Sequence, residues 1–165
     1  MNIKESTRKY ILASFVMFVV GGLIVANVLA KKQDEVFSTE DILYQQAIQL
    51  YEEGNYSDAQ ALISDLITEK ADSEMVNYLA ALIAGQNGDF PAAVVFMQKA
   101  LDINPYNVER PIFMLQFGEM LFSAEKYEEA KIVLQRCIDA GWAPEDYPEY
   151  QEQVQGMLLQ MENMQ

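Results

Sequence analysis

A chain of 165 residues with 51% hydrophobic and 22% charged residues has room for one packed domain and a short appendage, which excludes a disordered chain and a multidomain one. Its net charge of -14 is unevenly split: residues 1–32 carry five Lys/Arg against Glu5, while residues 33–165 carry 6 Lys/Arg against 24 Asp/Glu, a net -18. So acidic a body repels phosphate backbones, which excludes nucleic acid as a partner and favours basic or apolar ones.

The chain opens with a basic tail over residues 1–10, containing Lys4, Arg8 and Lys9. Residues 11–30, ILASFVMFVVGGLIVANVLA, then run for twenty positions without a charge before Lys31-Lys32. Twenty helical residues at about 1.5 Å rise span about 30 Å, the thickness of a bilayer's hydrocarbon core, so this stretch is expected to be a transmembrane helix. A cleaved signal peptide is the competing reading, because Val28-Leu29-Ala30 presents small or modest residues at a cleavage position. The length of the stretch and the lysine pair after it favour an uncleaved signal anchor. Three Lys/Arg before the span and two after it predict a single-pass protein with a cytoplasmic N-terminus and the acidic domain on the extracytoplasmic side, periplasmic or at the cell surface. Gly22, Ala26 and Ala30 recur every four residues and form a small face through which two spans can pack, so a homodimer or membership of a membrane complex is one expectation.

Residues 31–38 are a polar linker, and beyond them the pattern is helical and self-similar. Gly54-Asn55-Tyr56 and Gly88-Asp89-Phe90 lie 34 residues apart. At that offset Ala47, Ala59 and Ile63 match Ala81, Ala93 and Met97, and a third unit with Gly118, Tyr127, Ala130 and Leu134 follows at 37 residues. Small residues at paired positions suit helices that cross closely, and glycine suits a left-handed helix end. Pro111 fits only the first turn of a helix, and with the three extra residues Val108–Arg110 the spacing predicts a helix starting near Asn107 or Val108. After Pro144 and Pro148, Tyr150 to Met164 carries apolar residues at Val154, Met157, Leu158 and Met161, an amphipathic helix read as a cap over the last unit. A docking helix for a second protein is the alternative.

These residues resemble the tetratricopeptide repeat, a 34-residue helix-turn-helix unit. The resemblance is fullest in the unit ending at Ala100-Leu101 and Asn104-Pro105; Leu66, Ala71 and Glu125 depart from it. It implies an all-α protein: a transmembrane helix, then an α-α superhelix of three units (about 40–73, 74–107 and 108–141), then a capping helix within 142–165. It also implies an inner groove lined by Tyr44, Ile48, Tyr51 and Glu52 in the first unit, Tyr78, Leu82 and Gln86 in the second, and Leu115, Glu119 and Phe122 in the third. No Lys or Arg falls among these positions, unlike in family members that clamp acidic tails. The implied partner is a polypeptide client with apolar anchors and basic flanks, bound by a membrane-anchored adaptor or assembly factor. The alternative is a structural subunit that makes its contacts through the anchor or the final helix.

Nothing in the chain suggests an enzyme or a cofactor. Histidine is absent, which removes the commonest general base and metal ligand together. Cys137, the single cysteine, falls on an apolar helix face and reads as a core residue. Acidic pairs such as Glu52-Glu53 and Glu128-Glu129 point about 100° apart on a helix and read as solvated faces.

Overall fold

The computed structural model describes residues 41–164. The apolar stretch 11–30, its small face at Gly22, Ala26 and Ala30, and the linker 31–38 lie outside the described residues. Among the described residues no helix is long and apolar enough to cross a membrane.

All regular structure among these residues is helical. Helix α1 runs through residues 41–52, followed by α2 (Tyr56–Glu69), α3 (Glu74–Gln86), α4 (Phe90–Ile103), a 3-10 turn (Pro105–Glu109), α5 (Pro111–Ser123), α6 (Tyr127–Asp139) and α7 (Tyr150–Glu162). Consecutive helices pack in pairs, α3 on α4 and α5 on α6, and the pairs stack through α2 on α3 and α4 on α5.

The first helix of each pair ends in the same closure. After α1, the Gly54 N–H donates to the Tyr51 carbonyl (3.1 Å) and the Asn55 N–H to that of Leu50 (2.8 Å). After α3, Gly88 donates to Gly85 (3.0 Å) and Asp89 to Ala84 (2.9 Å); after α5, Glu125 donates to Phe122 (3.0 Å) and Lys126 to Leu121 (2.9 Å). This double bond satisfies the last free carbonyls of a helix and requires a left-handed residue, here Gly54 (φ 77), Gly88 (φ 78) and Glu125 (φ 60). Glu125 meets the same demand without glycine, at a cost of about 1 kcal/mol. The aromatics Tyr56, Phe90 and Tyr127 then open the second helices. Tyr56 meets Tyr51 and Tyr127 meets Phe122, both at 5.6 Å between ring centroids.

Small residues hold each pair together. Ala47, Ala59, Ala81, Ala93 and Ala130 have no exposed surface. Gly118 marks a close crossing: a Cβ there would lie 2.5 Å from Leu134 Cδ2. The apolar core built on these contacts is continuous from α3 to α7, with a second cluster where residues 43–67 meet α3.

The two junctions between pairs differ. Between α2 and α3 the chain turns in four residues, and the Asn77 amide, with no exposed surface, donates to the carbonyls of Ala71 (2.9 Å) and Ser73 (2.7 Å). Between α4 and α5 the chain runs through the 3-10 turn Pro105–Glu109, which takes in two of the three extra residues, so α5 starts at Pro111 and not near Asn107 or Val108. Proline forces Arg110 into an extended conformation (φ -97, ψ 109), which breaks any helix approaching from residue 107. The turn is pinned on both sides. Asn107, fully buried, donates to Ala100 O (3.3 Å) and Glu74 Oε1 (3.1 Å), while Arg136 on α6 donates to Val108 O (3.2 Å) and Glu109 Oε1 (2.6 Å).

Helix α7 packs on α6. Tyr150 and Val154 have no exposed surface, the Tyr150 hydroxyl donates to Pro111 O (3.0 Å), and Gln151 Nε2 donates to Trp142 O (2.6 Å) just past the end of α6. The helix stops at Glu162, short of Met164.

Candidate functional site

First helices of successive pairs contribute to one wall, because each pair presents the same helix to the same side of the stack. On that wall lies a pocket of about 380 Å³ lined by Tyr51 of α1, Leu82, Gly85 and Gln86 of α3, Phe90 of α4, Gln116, Glu119, Met120 and Ser123 of α5, and Met157 of α7. Four of the ten groove positions expected from the sequence, Tyr51, Leu82, Gln86 and Glu119, meet here.

Glycine at Gly85 creates room. Its equivalents in the first and third pairs, Tyr51 and Phe122, carry aromatic rings, so the middle pair leaves space that Tyr51 and Met157 border from either side. Glu119 is the charged group in the pocket. Burial pushes its carboxyl above the ordinary range, against the lowering effect of a hydrogen bond from Gln153. Gln153 in turn accepts from the Tyr147 hydroxyl. So the carboxylate is held in place by α7 and its approach loop, and faces a wall of Tyr51, Leu82, Phe90, Met120 and Met157.

The other expected positions lie elsewhere on the wall or behind it. Tyr44 is half-buried, with its hydroxyl 3.5 Å from the Met75 carbonyl, and burial raises its pKa ahead of the nearby Glu74 carboxylate. Ile48 is half-buried in the first cluster and Glu52 is exposed. Tyr78 stacks on Phe113 at 5.3 Å and donates to Gln116 Oε1 at 2.5 Å. Phe122 packs against Tyr127. Leu115 corrects the sequence reading: it is buried at 3% exposure in the core shared by α3 to α7 and does not line the wall. With α7 lying against α5, the α5 face turned to the pocket is Gln116, Glu119, Met120 and Ser123.

No Lys or Arg lines the pocket, but one cation stands beside Tyr78. The Arg110 guanidinium lies 5.7 Å from the Tyr78 ring centroid and pairs with Glu74 at 3.3 Å. Arg110 precedes α5, outside every matched groove position, so the repeat spacing gave no signal for it. Burial raises the Tyr78 pKa, and Arg110 opposes that shift. Met157 and Gln116 were missed for related reasons: the apolar stripe of α7 reads as a lid, and Gln116 lies one residue past the matched position.

Comparison with solved structures gives the fold a context. The Yersinia enterocolitica type III secretion translocator chaperone SycD superposes with a TM-score of 0.63 at 18% identity, over 75% of this chain and 83% of that one. The same chaperone in complex with a peptide of the translocator YopD gives 0.63 at 18% identity, over 77% and 95%. The Sgt2 TPR domain of Aspergillus fumigatus gives 0.58 at 17% identity, over 76% and 78%. At these identities the likeness is one of fold. No curated protein matches the sequence. The family of the tetratricopeptide repeat-like domain matches residues 6–162. With nearly the whole length matched and the paired helices, left-handed closures and small-residue crossings in place, the chain belongs to the tetratricopeptide repeat-like family.

Proposed function

We propose that this protein is a membrane-anchored adaptor that holds a polypeptide segment in the pocket of its inner wall. The observation that carries the reading is the pocket itself, where an apolar wall surrounds one positioned carboxylate. A cavity of about 380 Å³ accepts a large apolar side chain, and a Lys or Arg beside that anchor gives Glu119 a counter-charge in place of the water that burial removes. The peptide-bound SycD structure supports the reading through its similar fold.

The anchor rests on residues 11–30, twenty positions without a charge between Arg8-Lys9 and Lys31-Lys32. With three Lys/Arg before the span and two after it, the N-terminus lies in the cytoplasm and the repeats on the extracytoplasmic side. A second reading, a structural subunit of a membrane complex, draws on Leu159 and Met164, apolar and exposed near the C-terminus. It predicts that Leu159→Ser disrupts an assembly that Leu82→Ser leaves intact.

A photo-crosslinking residue at Leu82 of the full chain, activated in intact membranes, tests the adaptor reading. The expected product is an adduct with a polypeptide, lost when Met157→Arg closes the pocket with a charge. Absence of adducts, or adducts indifferent to Met157→Arg, removes the inner wall as the site.

A further inference from the structure

The opposite side of the stack carries a second depression of different chemistry. Between α4 and α6 lies a groove of about 540 Å³, floored by Phe117 and Leu121 of α5 and flanked by Val95 and Ile132. Val95 and Ile132 are 64% and 72% exposed, although apolar side chains of this size gain from leaving water. Ile132 also borders an adjoining depression lined by Lys131, Arg136 and Asp139.

Charge sets this face apart. Residues 33–165 carry 24 acidic residues and six basic ones, yet four of the six, Lys99, Lys126, Lys131 and Arg136, line these two depressions. Against them stand Asp102, Glu129 and Asp139, so the lining has a net charge of +1 inside a segment of net -18. Lys126 pairs with Glu129 at 3.5 Å and Arg136 with Glu109 at 2.6 Å; Lys99 and Lys131 have no ion pair among the described residues.

We propose that a second copy of this chain docks on this face, outer wall to outer wall about a two-fold axis. Two bodies of net -18 repel over a screening length of about 8–10 Å, so close approach is open where each presents a patch near neutrality. A patch of interleaved cations and anions is complementary to itself, as an isologous interface requires. A uniformly acidic partner helix meets Asp102, Glu129 and Asp139 as like charges, and a basic one meets the four cations. Pairing buries Val95 and Ile132 and gives Lys99 and Lys131 acidic neighbours. Helices of 14 and 13 residues are about 20 Å long, so the face has the size of a weak dimer contact. The inference is independent of the pocket on the inner wall.

Cysteine crosslinking reads this face directly, because the chain's own Cys137 is buried. Full-length protein carrying Ile132→Cys, purified alone in detergent, is treated with a short bis-maleimide, with Ser57→Cys on α2 as the collision control. The expected result is a crosslinked dimer from Ile132→Cys and not from Ser57→Cys. Adding Val95→Glu is expected to reduce it at least about tenfold while circular dichroism stays unchanged. Dependence on Val95 separates this contact from pairing through residues 11–30. Monomer alone, dimer insensitive to Val95→Glu, or a crosslink formed only in cells with a different polypeptide overturns the proposal.

Discussion

The two walls of the repeat stack are built from the same helix pairs and have opposite characters. The inner wall places Glu119 among Tyr51, Leu82, Phe90, Met120 and Met157 with no Lys or Arg in the pocket lining, and Arg110, beside Tyr78, is paired with Glu74. The outer wall gathers four of the six basic residues of segment 33–165 around exposed Val95 and Ile132. On the two readings proposed above, a strongly acidic chain keeps one surface for basic, apolar segments and one that tolerates an acidic neighbour. The repeat fixes which helix faces which way, and the side chains laid on each face decide what it accepts.

Both walls depend on close helix crossing, so breaking a crossing should have the largest effect. Gly118→Val inserts a branched side chain where even a Cβ would lie 2.5 Å from buried Leu134 Cδ2. We expect a loss of about 3 kcal/mol or more, a fall of roughly 10 °C in Tm, and loss of both walls together. Differential scanning calorimetry checks the first and crosslinking at both walls the second.

Next in size is the junction that sets α5 relative to α3, and hence the shape of the pocket. Asn107→Leu strips donors from the Ala100 carbonyl and the Glu74 carboxylate, and an acceptor from Arg110 at 3.0 Å. The expected cost is about 2–3 kcal/mol, since a fully buried side chain loses three hydrogen bonds, while the Ala100 carbonyl keeps the Asn104 N–H and Glu74 and Arg110 keep each other. Asn77→Leu at the other junction should cost less, about 1–2 kcal/mol, because its Oδ1 is buried without a partner and its removal offsets part of the lost bonding. Urea midpoints of the two variants give the order.

The walls are separated by a milder change. With the photo-crosslinking residue moved to Gln116, which lines the same pocket, Leu82→Ser should lower the yield of client adducts about tenfold while leaving the dimer through Ile132 unchanged, a loss of about 1.4 kcal/mol confined to one wall. Loss of both products indicates a general defect and erases the distinction.

The smallest effect is a pH dependence. Burial raises the Glu119 carboxyl above its ordinary value of 4.5, so folding favours the protonated form. Above the raised value the native chain carries a destabilising buried charge. Glu119→Gln should therefore have the higher Tm at neutral pH, with the advantage shrinking as pH falls through the raised value toward 4.5, where the native carboxyl is also protonated. Thermal scans from pH 7 to pH 4 check the sign.

Much of the fold is visible in the residues because its devices are local. Gly54 and Gly88 mark helix ends, Tyr56, Phe90 and Tyr127 mark helix starts, and the alanine pairs mark crossings, each within one 34-residue period. Glu125 shows the limit: it performs the glycine's task without being glycine, and only the alignment to Gly88 reveals it. Contacts between periods are harder to read. The Asn107–Glu74 and Arg136–Glu109 bonds join residues 33 and 27 positions apart, and no spacing rule announces them. The pocket was legible in part, through Tyr51, Leu82, Gln86 and Glu119. Met157 was hidden because a helix that caps a stack and a helix that completes a pocket carry the same apolar stripe.

Selection of peptides by the full-length protein in nanodiscs tests the central claim most directly. A displayed library of random twelve-residue segments is panned against the native chain and against Leu82→Ser. The account predicts enrichment, on the native chain alone, of sequences with a large apolar residue next to Lys or Arg. Enrichment of acidic sequences, or equal enrichment on both proteins, would contradict it.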